Sequence, residues 1–358
     1  MPVISVIIPN YNRATLIVKT VENVLAQSLK DTEIIVVDDG SIDDSVSVLL
    51  ERFGDRIKVL EQENQGPGAA RNHGLHHASG DYVKFLDSDD LCTLNLLEAQ
   101  LYAARAANAD FCYAPWIRVQ FDDSAQKVVA DTHVMQDSEL PQTLDPVDAM
   151  LGGWTIIFQA CLIRRTFLER SDGYRTDLLN FEDAEYLFRL MLQGPVITFT
   201  NEGFIVYRYH EADRLSEAGV STPRKRRDAV LFLECMGESL AASGLDPRTH
   251  QHYLFLLRRL KAERELGDCL KESEDSGDPV ALPARTGLRP LPITTRARIK
   301  LAETRQRFLD RRTRQETGFP WPAFFGTCEF SSSHRKQIEE LGFSVREIGP
   351  VWAGPSPD

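Results

Sequence analysis

Three carboxylates, those of Asp87, Asp89 and Asp90, follow a short apolar run that begins at Tyr82. The apolar run is typical of a buried strand, and the carboxylates would form the turn at its end. Because Asp87 and Asp89 are separated by one residue, both can offer oxygen ligands to one divalent ion and leave positions open for phosphate oxygens. The alternative is a polar turn in which one aspartate caps the next helix. The turn is therefore a candidate Mg²⁺ or Mn²⁺ site.

Composition limits the classes of protein to which the chain can belong. With 358 residues the chain exceeds one usual core, so we expect one domain of roughly 200–250 residues and an appendage. The net charge of −12 argues against nucleic-acid binding over the whole surface. The six cysteines show no C-x-x-C spacing, which favours reduced, buried thiols over a zinc site.

The chain start and the hydropathy pattern bear on location. The first residues are typical of a strand rather than of a signal peptide, and no window approaches about 18 consecutive apolar residues. We therefore expect a cytoplasmic protein. A basic amphipathic helix predicted near residues 293–314 would suit peripheral contact with the inner face of the membrane, and an ordinary solvated helix face is the alternative.

The first quarter of the chain alternates predicted strands and helices at roughly 25-residue intervals, which is typical of a parallel sheet with crossover helices. The predicted strands span residues 4–8, 33–37, 57–60 and 82–86, and the predicted helices between them span residues 14–27, 43–53 and 69–77.

Polar turns follow each of these strands. Pro9, Tyr11 and Asn12 follow the first strand, and Asp39 follows the second. The third strand leads into a glycine-rich loop that opens a helix with Arg71 in its first turn, a combination that suits an anionic or polar ligand. Each turn alone is typical of a polar cap, but turns at successive ends of parallel strands would form a single pocket.

Four of these segments together resemble family 2 glycosyltransferases with the GT-A fold. They are Val-Ile-Ile-Pro-x-Tyr-Asn, Ile-Ile-Val-Val-Asp-Asp-Gly-Ser, Gly-x-x-x-Ala-Arg-Asn and Phe-Leu-Asp-Ser-Asp-Asp, in this order. The resemblance covers residues 3 to about 216. It implies a mixed, mainly parallel α/β sheet and an inverting, metal-dependent transfer of a sugar from a nucleotide diphosphate sugar, with uridine as the favoured base.

The resemblance also assigns residues to the donor site. It implies that Pro9, Tyr11 and Asp39 line the base and ribose site, with Asn12, Arg71 and Ser88 beside the nucleotide. Asp87 and Asp89 match its D-x-D motif, in which the second aspartate is tied most directly to the Mn²⁺ or Mg²⁺ ion and the first lies near the ribose.

The acceptor side is expected beyond residue 150. Glu182 and Asp183 fall in the first turn of a predicted helix, where the helix dipole alone favours acidic residues. The resemblance places the catalytic base in this pair, and we expect Asp183 to be the base and Glu182 to position or contact the acceptor. It also brings His210 towards the metal and diphosphate, with a solvated histidine as the alternative. Trp154 is a candidate to stack on the acceptor sugar, although a buried packing role competes with that reading.

We expect four parts of the chain. Residues 1–220 form the GT-A domain, residues 221–272 a helical extension, residues 273–290 a linker, and residues 291–358 a C-terminal segment that contains the basic helix. The extension beyond the GT-A domain is expected to be mostly helical.

The main functional hypothesis is an inverting glycosyltransferase that acts on a glycan or lipid-linked hydroxyl acceptor. A sugar-phosphate nucleotidyltransferase is one alternative, but it should begin with a glycine-rich loop holding Arg and Lys, which residues 9–13 lack. A non-catalytic nucleotide-sugar binding module is the other alternative. It would bind donor without turnover.

Overall fold

The computed structural model describes residues 2–122, 127–130, 133–140, 145–151, 156–209, 223–246 and 327–348. The predicted linker, the predicted basic helix at 293–314 and residues 247–272 of the predicted helical extension lie outside these ranges.

The described residues form fourteen strands. In chain order they are β1 (Ile4–Asn10), β2 (Thr32–Asp38), β3 (Lys58–Glu61), β4 (Tyr82–Phe85), β5 (Leu91–Cys92), β6 (Phe111–Tyr113), β7 (Trp116–Asp122), β8 (Lys127–Ala130), β9 (His133–Met135), β10 (Cys161–Arg164), β11 (Ile197–Phe199), β12 (Ile205–Tyr209), β13 (Thr327–Glu329) and β14 (Ser344–Ile348).

Nine α-helices lie in the same part of the chain, and none of them combines the length and the apolar character needed to cross a membrane. They are α1 (Ala14–Leu25), α2 (Ser45–Phe53), α3 (Pro67–His76), α4 (Leu96–Ala106), α5 (Pro146–Leu151), α6 (Arg165–Leu168), α7 (Glu182–Met191), α8 (Pro223–Ala242) and α9 (Ser332–Glu339).

The first sheet has seven strands in the order β11-β6-β10-β4-β1-β2-β3. The pairs β1–β2, β1–β4, β2–β3 and β11–β6 are parallel, and only β10 runs antiparallel to its neighbours. Every residue of β1 is buried, as expected for a central strand covered on both faces. The prediction of a mixed, mainly parallel α/β sheet is confirmed.

A second sheet stands beside the first and has the order β13-β9-β7-β12-β5, with β8 joining β7 to β14. Its strands come from distant parts of the chain, because β13 and β14 belong to residues 327–348 and pair with β9 and β8. The described part of the C-terminal segment thus adds strands as well as helix α9 to the fold.

The helix and strand predictions for the first 90 residues match the structure within a few residues. Helix α3 begins at Pro67, two residues before its predicted start, because proline suits the first helical position and Gly66 takes a positive φ. The sequence-based prediction missed helix α4 and strands β5, β6, β8 and β9, which are short or lack a clear period.

One strand prediction was wrong in part. The apolar residues at positions 156–163 predict one strand, but the structure has a 3₁₀ turn at Phe158–Ala160 followed by β10. The physical reason lies in the backbone partners: Lys84 Nζ donates to the carbonyl of Gln159 at 2.8 Å, and Gln100 Nε2 donates to that of Ala160 at 2.7 Å. Lys84 therefore holds the Gln159 carbonyl, which a continuous strand would use in its ladder, and the Ala160 carbonyl is shared between Gln100 and the backbone N–H of Ala114.

Candidate functional site

The candidate site lies where β1, β2 and β4 end. These strands are parallel neighbours, so the turns that follow them meet at one edge of the sheet. The segment after β3 returns to the same edge, since Gln65 and Gly66 donate their backbone N–H groups to the Asp39 carboxylate, both at 2.8 Å. The four turns that the sequence predicts to form a single pocket therefore lie at one edge of the sheet.

The aspartate turn after β4 concentrates oxygen atoms. Asp87, Asp89 and Asp90 each place a carboxylate oxygen within 4.8 Å of the others. The turn is closed by the Asp90 N–H, which donates to the Asp87 carbonyl at 3.0 Å. Helix α1 supports it, because Thr20 Oγ1 donates to the carbonyls of Ser88 and Asp90 at 2.8 and 3.0 Å. A set of hard oxygen donors with excess negative charge fits a divalent cation such as Mg²⁺ or Mn²⁺.

Arg71 connects this turn to the pair at the start of α7. Its guanidinium donates to Asp87 Oδ1 and to Glu182 Oε1, both at 2.8 Å, and lies 5.4 Å from the centre of the Tyr174 ring. Among the described residues, neither Arg71 Nε nor the Tyr174 hydroxyl has a hydrogen-bond partner, although both atoms are buried. Buried polar atoms are rarely left unpaired, so the centre of the site has capacity for a polar ligand.

Glu182 and Asp183 occupy the first turn of α7, as predicted, but in different surroundings. Glu182 is buried, and burial and the neighbouring Asp183 charge raise its pKa to about 7 against the opposing effect of Arg71. Asp183 is half-buried, and its Oδ1 accepts from the Ala184 N–H at 2.7 Å. The two carboxylates therefore differ: one is tied to the arginine, and the other is more open to solvent.

The residue before α7 holds this helix start in place. Phe181 adopts a left-handed conformation with φ of 67°, which is uncommon for a bulky residue. Its ring stacks on Phe232 of α8, with centroids 5.6 Å apart and planes 12° apart. Strained backbone of this kind clusters at functional sites, and here it sets the direction in which the acidic pair enters the site.

The predicted nucleotide residues lie along the ends of β1 and β2. Pro9 is buried in β1, and the Asp39 N–H donates to the Asn10 carbonyl at 2.8 Å, which brings the two turns together. Tyr11 is 46% exposed, and its ring is available as a platform at the opening. Asn12 has a positive φ of 52° and accepts from the Ile42 N–H at 2.8 Å.

Two of these residues have structural partners that the sequence did not indicate. Asp39 is buried and accepts three hydrogen bonds from the loop before α3, from Gln62 Nε2, Gln65 N and Gly66 N. Ser88 is buried within the aspartate turn, and its carbonyl accepts from Thr20 Oγ1 at 2.8 Å. The role of Asp39 against a base stays a prediction, and its present bonds shape the glycine-rich loop.

Two predicted site residues, Trp154 and His210, lie outside the described residues. Their predicted roles at the acceptor and at the metal stay predictions.

Two residues outside the predicted set, Gln159 and Arg208, contact the aspartate turn, and a third, Lys84, holds Gln159 in place. Gln159 Nε2 donates to Asp87 Oδ2, and its carbonyl is held by Lys84, whose pKa is lowered by burial. The backbone N–H of Arg208 donates to Asp90 Oδ1 at 2.9 Å, and its Nε donates to the Asp89 carbonyl at 2.5 Å. One sequence signal was Lys84, a charged residue inside an apolar run, and another was the position of Arg208 close to His210.

Comparison with known proteins identifies the family to which this chain belongs. The model of the family described as "Glycosyl transferase family 2" matches residues 5–171. The Escherichia coli protein named UDP-Glc:alpha-D-GlcNAc-diphosphoundecaprenol beta-1,3-glucosyltransferase WfgD is 30% identical over 220 residues, which are 61% of this chain and 79% of that protein. The chain belongs to glycosyltransferase family 2.

Other relatives match over a smaller share of their length. Three Rickettsia glycosyltransferases, from R. conorii, R. felis and R. bellii, are 40–41% identical over 117 or 118 residues, which are 32% of this chain. The chain spans only 17–19% of the length of these proteins.

Solved structures share the fold. Residues 1–349 of S. aureus TarS, crystallised in complex with UDP-GlcNAc, superpose with a TM-score of 0.54 at 19% identity, over 76% of this chain and 75% of that chain. The mannosyltransferase PcManGT from Pyrobaculum calidifontis, in complex with GDP-Man and Mn²⁺, gives 0.51 at 17% identity over 95% and 86%. The GT-A fold expected from the sequence motifs is confirmed.

Proposed function

We propose that the protein is an inverting glycosyltransferase that transfers a sugar from a nucleotide diphosphate sugar, with UDP as the favoured nucleotide, to a hydroxyl acceptor. The observation that carries this proposal is the contact of Arg71 with both the aspartate turn and Glu182, each at 2.8 Å. It brings a cation-binding turn and an acidic pair to opposite sides of one guanidinium. A sugar transfer needs both, because the cation site serves the donor and the acidic pair serves the acceptor.

Asp89 and Asp87 are the residues that would hold a Mn²⁺ or Mg²⁺ ion, and His210 is a further candidate. When bound, such an ion stabilises the negative charge that develops on the departing nucleoside diphosphate. Arg71 stands next to Asp87 and supplies a fixed positive charge on the same side of the cleft. Gln159 fixes the other oxygen of Asp87.

In the proposed transfer, the Asp183 carboxylate takes the proton of the acceptor hydroxyl. The hydroxyl oxygen forms a bond to the anomeric carbon while the bond from that carbon to the diphosphate oxygen breaks, and the electron pair leaves with the diphosphate. A single in-line displacement of this kind inverts the anomeric centre. Glu182 is held by Arg71 and positions the acceptor, which leaves the less engaged Asp183 as the base.

The nucleotide would lie along the ends of β1 and β2. Tyr11 offers an exposed ring for the base, and Pro9, Asn12, Asp39 and Ser88 line the base and ribose site. The buried, unpaired Arg71 Nε and Tyr174 hydroxyl lie further in, where they can meet polar groups of the donor.

The acceptor is proposed to be a lipid-linked glycan. WfgD carries a diphosphoundecaprenol-linked sugar in its name, and this chain covers 79% of WfgD. Trp154 is proposed to stack on the acceptor sugar. A peripheral position at the cytoplasmic face of the membrane would suit such an acceptor, with the predicted basic helix as the contact.

The function is tested by incubating the purified chain with UDP- and GDP-sugars, with and without Mn²⁺, and measuring release of nucleoside diphosphate and the thermal midpoint. We expect slow Mn²⁺-dependent donor hydrolysis and a higher midpoint in the presence of the true donor. Binding without any turnover, also when lipid-linked acceptors are added, would identify a binding module instead. Formation of nucleotide sugar from sugar phosphate and nucleoside triphosphate would identify a nucleotidyltransferase.

Asp89→Ala should remove the Mn²⁺-dependent part of donor binding, because it deletes the proposed main ligand. For wild-type protein at a donor–metal concentration near 100 times Kd, we expect a rise in Tm of roughly 5–10 °C. The variant should show little of this rise in a thermal-shift assay. The control is Asp55→Ala, which changes an exposed aspartate between α2 and β3, outside the aspartate turn. An unchanged Mn²⁺ response in Asp89→Ala would contradict the metal role.

Asp183→Asn should lower the transfer rate by about 10²–10⁴-fold, because an amide cannot accept the acceptor proton. Donor affinity, measured by calorimetry, should stay close to that of wild type. Glu182→Gln is the matched variant and should retain more activity. If the losses are reversed between the two variants, the base is Glu182.

A further inference from the structure

Arg208 is the residue of the second sheet that touches the aspartate turn. It is 1% exposed, and besides its bonds to Asp89 and Asp90 its Nη2 donates to the carbonyl of Leu16 in α1 at 3.4 Å. A buried arginine with several backbone acceptors is held in one orientation. The position of the turn is therefore tied to the position of β12.

The Arg208 guanidinium also lies over Phe121, which is one ring of an aromatic pair. Its carbon is 5.2 Å from the centre of the Phe121 ring in β7, and the Phe343 ring meets Phe121 edge-on with centroids 4.6 Å apart and planes 89° apart. Phe343 belongs to the turn between α9 and β14. A continuous line of contacts thus runs from the C-terminal segment through Phe343, Phe121 and Arg208 to the aspartate turn.

Helix α1 provides a second connection. Lys19 Nζ lies 5.8 Å from the centre of the Phe343 ring, and the next residue, Thr20, holds the carbonyls of Ser88 and Asp90. Phe343 therefore contacts α1 directly through Lys19 and is connected to Arg208 of β12 through Phe121.

The same segment completes a hydrophobic core. Ile338, Phe343 and Val345 of the C-terminal segment are buried in one cluster with Leu91, the residue that follows Asp90. The other members of that cluster come from β7, β8, β9, β12 and the residue before β12. Without the C-terminal residues, the face of the sheet that carries Arg208 would lose apolar partners on one side.

We propose that residues 327–348 are a positioning unit, which holds the aspartate turn in place. The contacts of Phe343 with Phe121, and of Phe121 with Arg208, connect this unit to the turn. The unit does not touch substrate. It fixes the geometry of Asp89 and Asp90 and so sets the affinity of the cation and diphosphate site. The effect on affinity rests on the proposed function, whereas the effect on the order of the turn does not.

The test compares Phe343→Leu with Val345→Ala in the full chain. Phe343→Leu keeps an apolar side chain but removes the ring edge that meets Phe121. Val345→Ala removes apolar volume from the same segment and the same cluster without that ring contact. Hydrogen exchange is measured by mass spectrometry for peptides that cover residues 86–93 and 205–209, without ligand. Binding of Mn²⁺ alone and of UDP with Mn²⁺ is measured by calorimetry.

We expect Phe343→Leu to speed exchange in both peptides and to weaken UDP–Mn²⁺ binding by about 3- to 10-fold, within the range usual for coupling through packed side chains. Val345→Ala should lower Tm but change the affinity by less than about 2-fold. Equal effects of the two variants on exchange and affinity, or no effect of Phe343→Leu on either, would overturn the proposal. If wild type binds neither UDP nor Mn²⁺, the proposed function fails, and exchange at residues 86–93 still decides the positioning role.

Discussion

Arg71 shows how one residue can set the chemistry of several others. Its guanidinium bonds Asp87 and Glu182, and the charge of Asp183 also acts on it. One cation therefore faces three carboxylates in a buried place. Burial of the Glu182 carboxyl and, after it, the neighbouring Asp183 charge raise its pKa, which is why this group holds its proton up to an unusually high pH. A bound cation would stabilise the same negative charge.

Folding stability should report this proton. Because the pKa of Glu182 is raised from its ordinary value of 4.5 to about 7, folding takes up a proton in this range. The contribution of Glu182 is fully present below pH 4.5 and is lost as the pH rises through 7. Glu182→Gln removes this loss, so we expect the Tm of the variant to rise relative to wild type between pH 5 and pH 8 in metal-free buffer.

Glu33→Gln is the control for the pH series. Burial would raise the pKa of Glu33, but hydrogen bonds from Ser5, Ser79 and Gly80 outweigh it and hold the pKa below its ordinary value. Glu33 therefore titrates below this range, and the Tm difference between this variant and wild type should stay flat from pH 5 to pH 8. A flat difference for Glu182→Gln as well would contradict the raised pKa.

At the residue scale, the spacing of residues in the sequence indicated part of the candidate site. The rest of the site depends on contacts between residues that are far apart in the chain. Asp87, Asp89, Glu182 and Asp183 stand at strand or helix ends, where sequence position alone suggests chemistry. Arg208 contacts a turn 118 residues earlier in the chain, and no local pattern records such a pairing.

Helix α3 must lie close to the sheet for Arg71 to reach the turn. Gly74 makes this approach possible, since a Cβ there would overlap Ile7 Cγ2 and lie 3.2 Å from Val37 Cγ2. Both neighbours are branched side chains on buried strands and cannot move away easily. The helix that carries Arg71 is therefore placed by the absence of a side chain at position 74.

We expect Gly74→Ala to lower the free energy of unfolding by about 1–2 kcal/mol. Overpacking costs about 1–3 kcal/mol, and the better helix propensity of alanine offsets up to about 1 kcal/mol of it. Denaturant titration gives the value. His76→Ala, at an exposed position on the same helix, should leave stability unchanged or slightly raised. A stabilised Gly74→Ala protein would show that α3 does not press on the sheet.

The strands of the first sheet and the helices between them could be predicted. The strands are continuous apolar runs, and apolar residues recur at helical spacing between them. The second sheet could not be predicted. Its strands β5, β8 and β9 have two to four residues each, too few to show a period, and their pairing partners lie far away in the chain.

Among the described residues, two of the three hydrophobic clusters are large, and both halves of the chain contribute to the second of these. The apolar residues of β7, β8 and β12 share that cluster with Ile338 of α9. The described C-terminal residues are thus expected to unfold together with the rest of the domain rather than as a separate unit.

Ile338→Ala should lower the stability of the whole protein by about 2–5 kcal/mol, because the side chain is fully buried in the shared cluster. Calorimetry should show one transition at a lower temperature. The neighbouring exposed residue provides the control, since Glu339→Ala should change stability by no more than about 0.5 kcal/mol. If Ile338→Ala instead creates a separate early transition while the main one stays in place, the C-terminal segment is independent.

The pairing of β13 and β14 with β9 and β8 has a consequence for biosynthesis. Domains fold from the N-terminal side as the ribosome delivers the chain, and the first sheet is complete once residue 199 has emerged. One edge of β8 then stays unpaired until residues 344–348 have been synthesised. During this interval the nascent chain exposes one unpaired edge of β8 and apolar side chains, which are features that favour pairing with other chains.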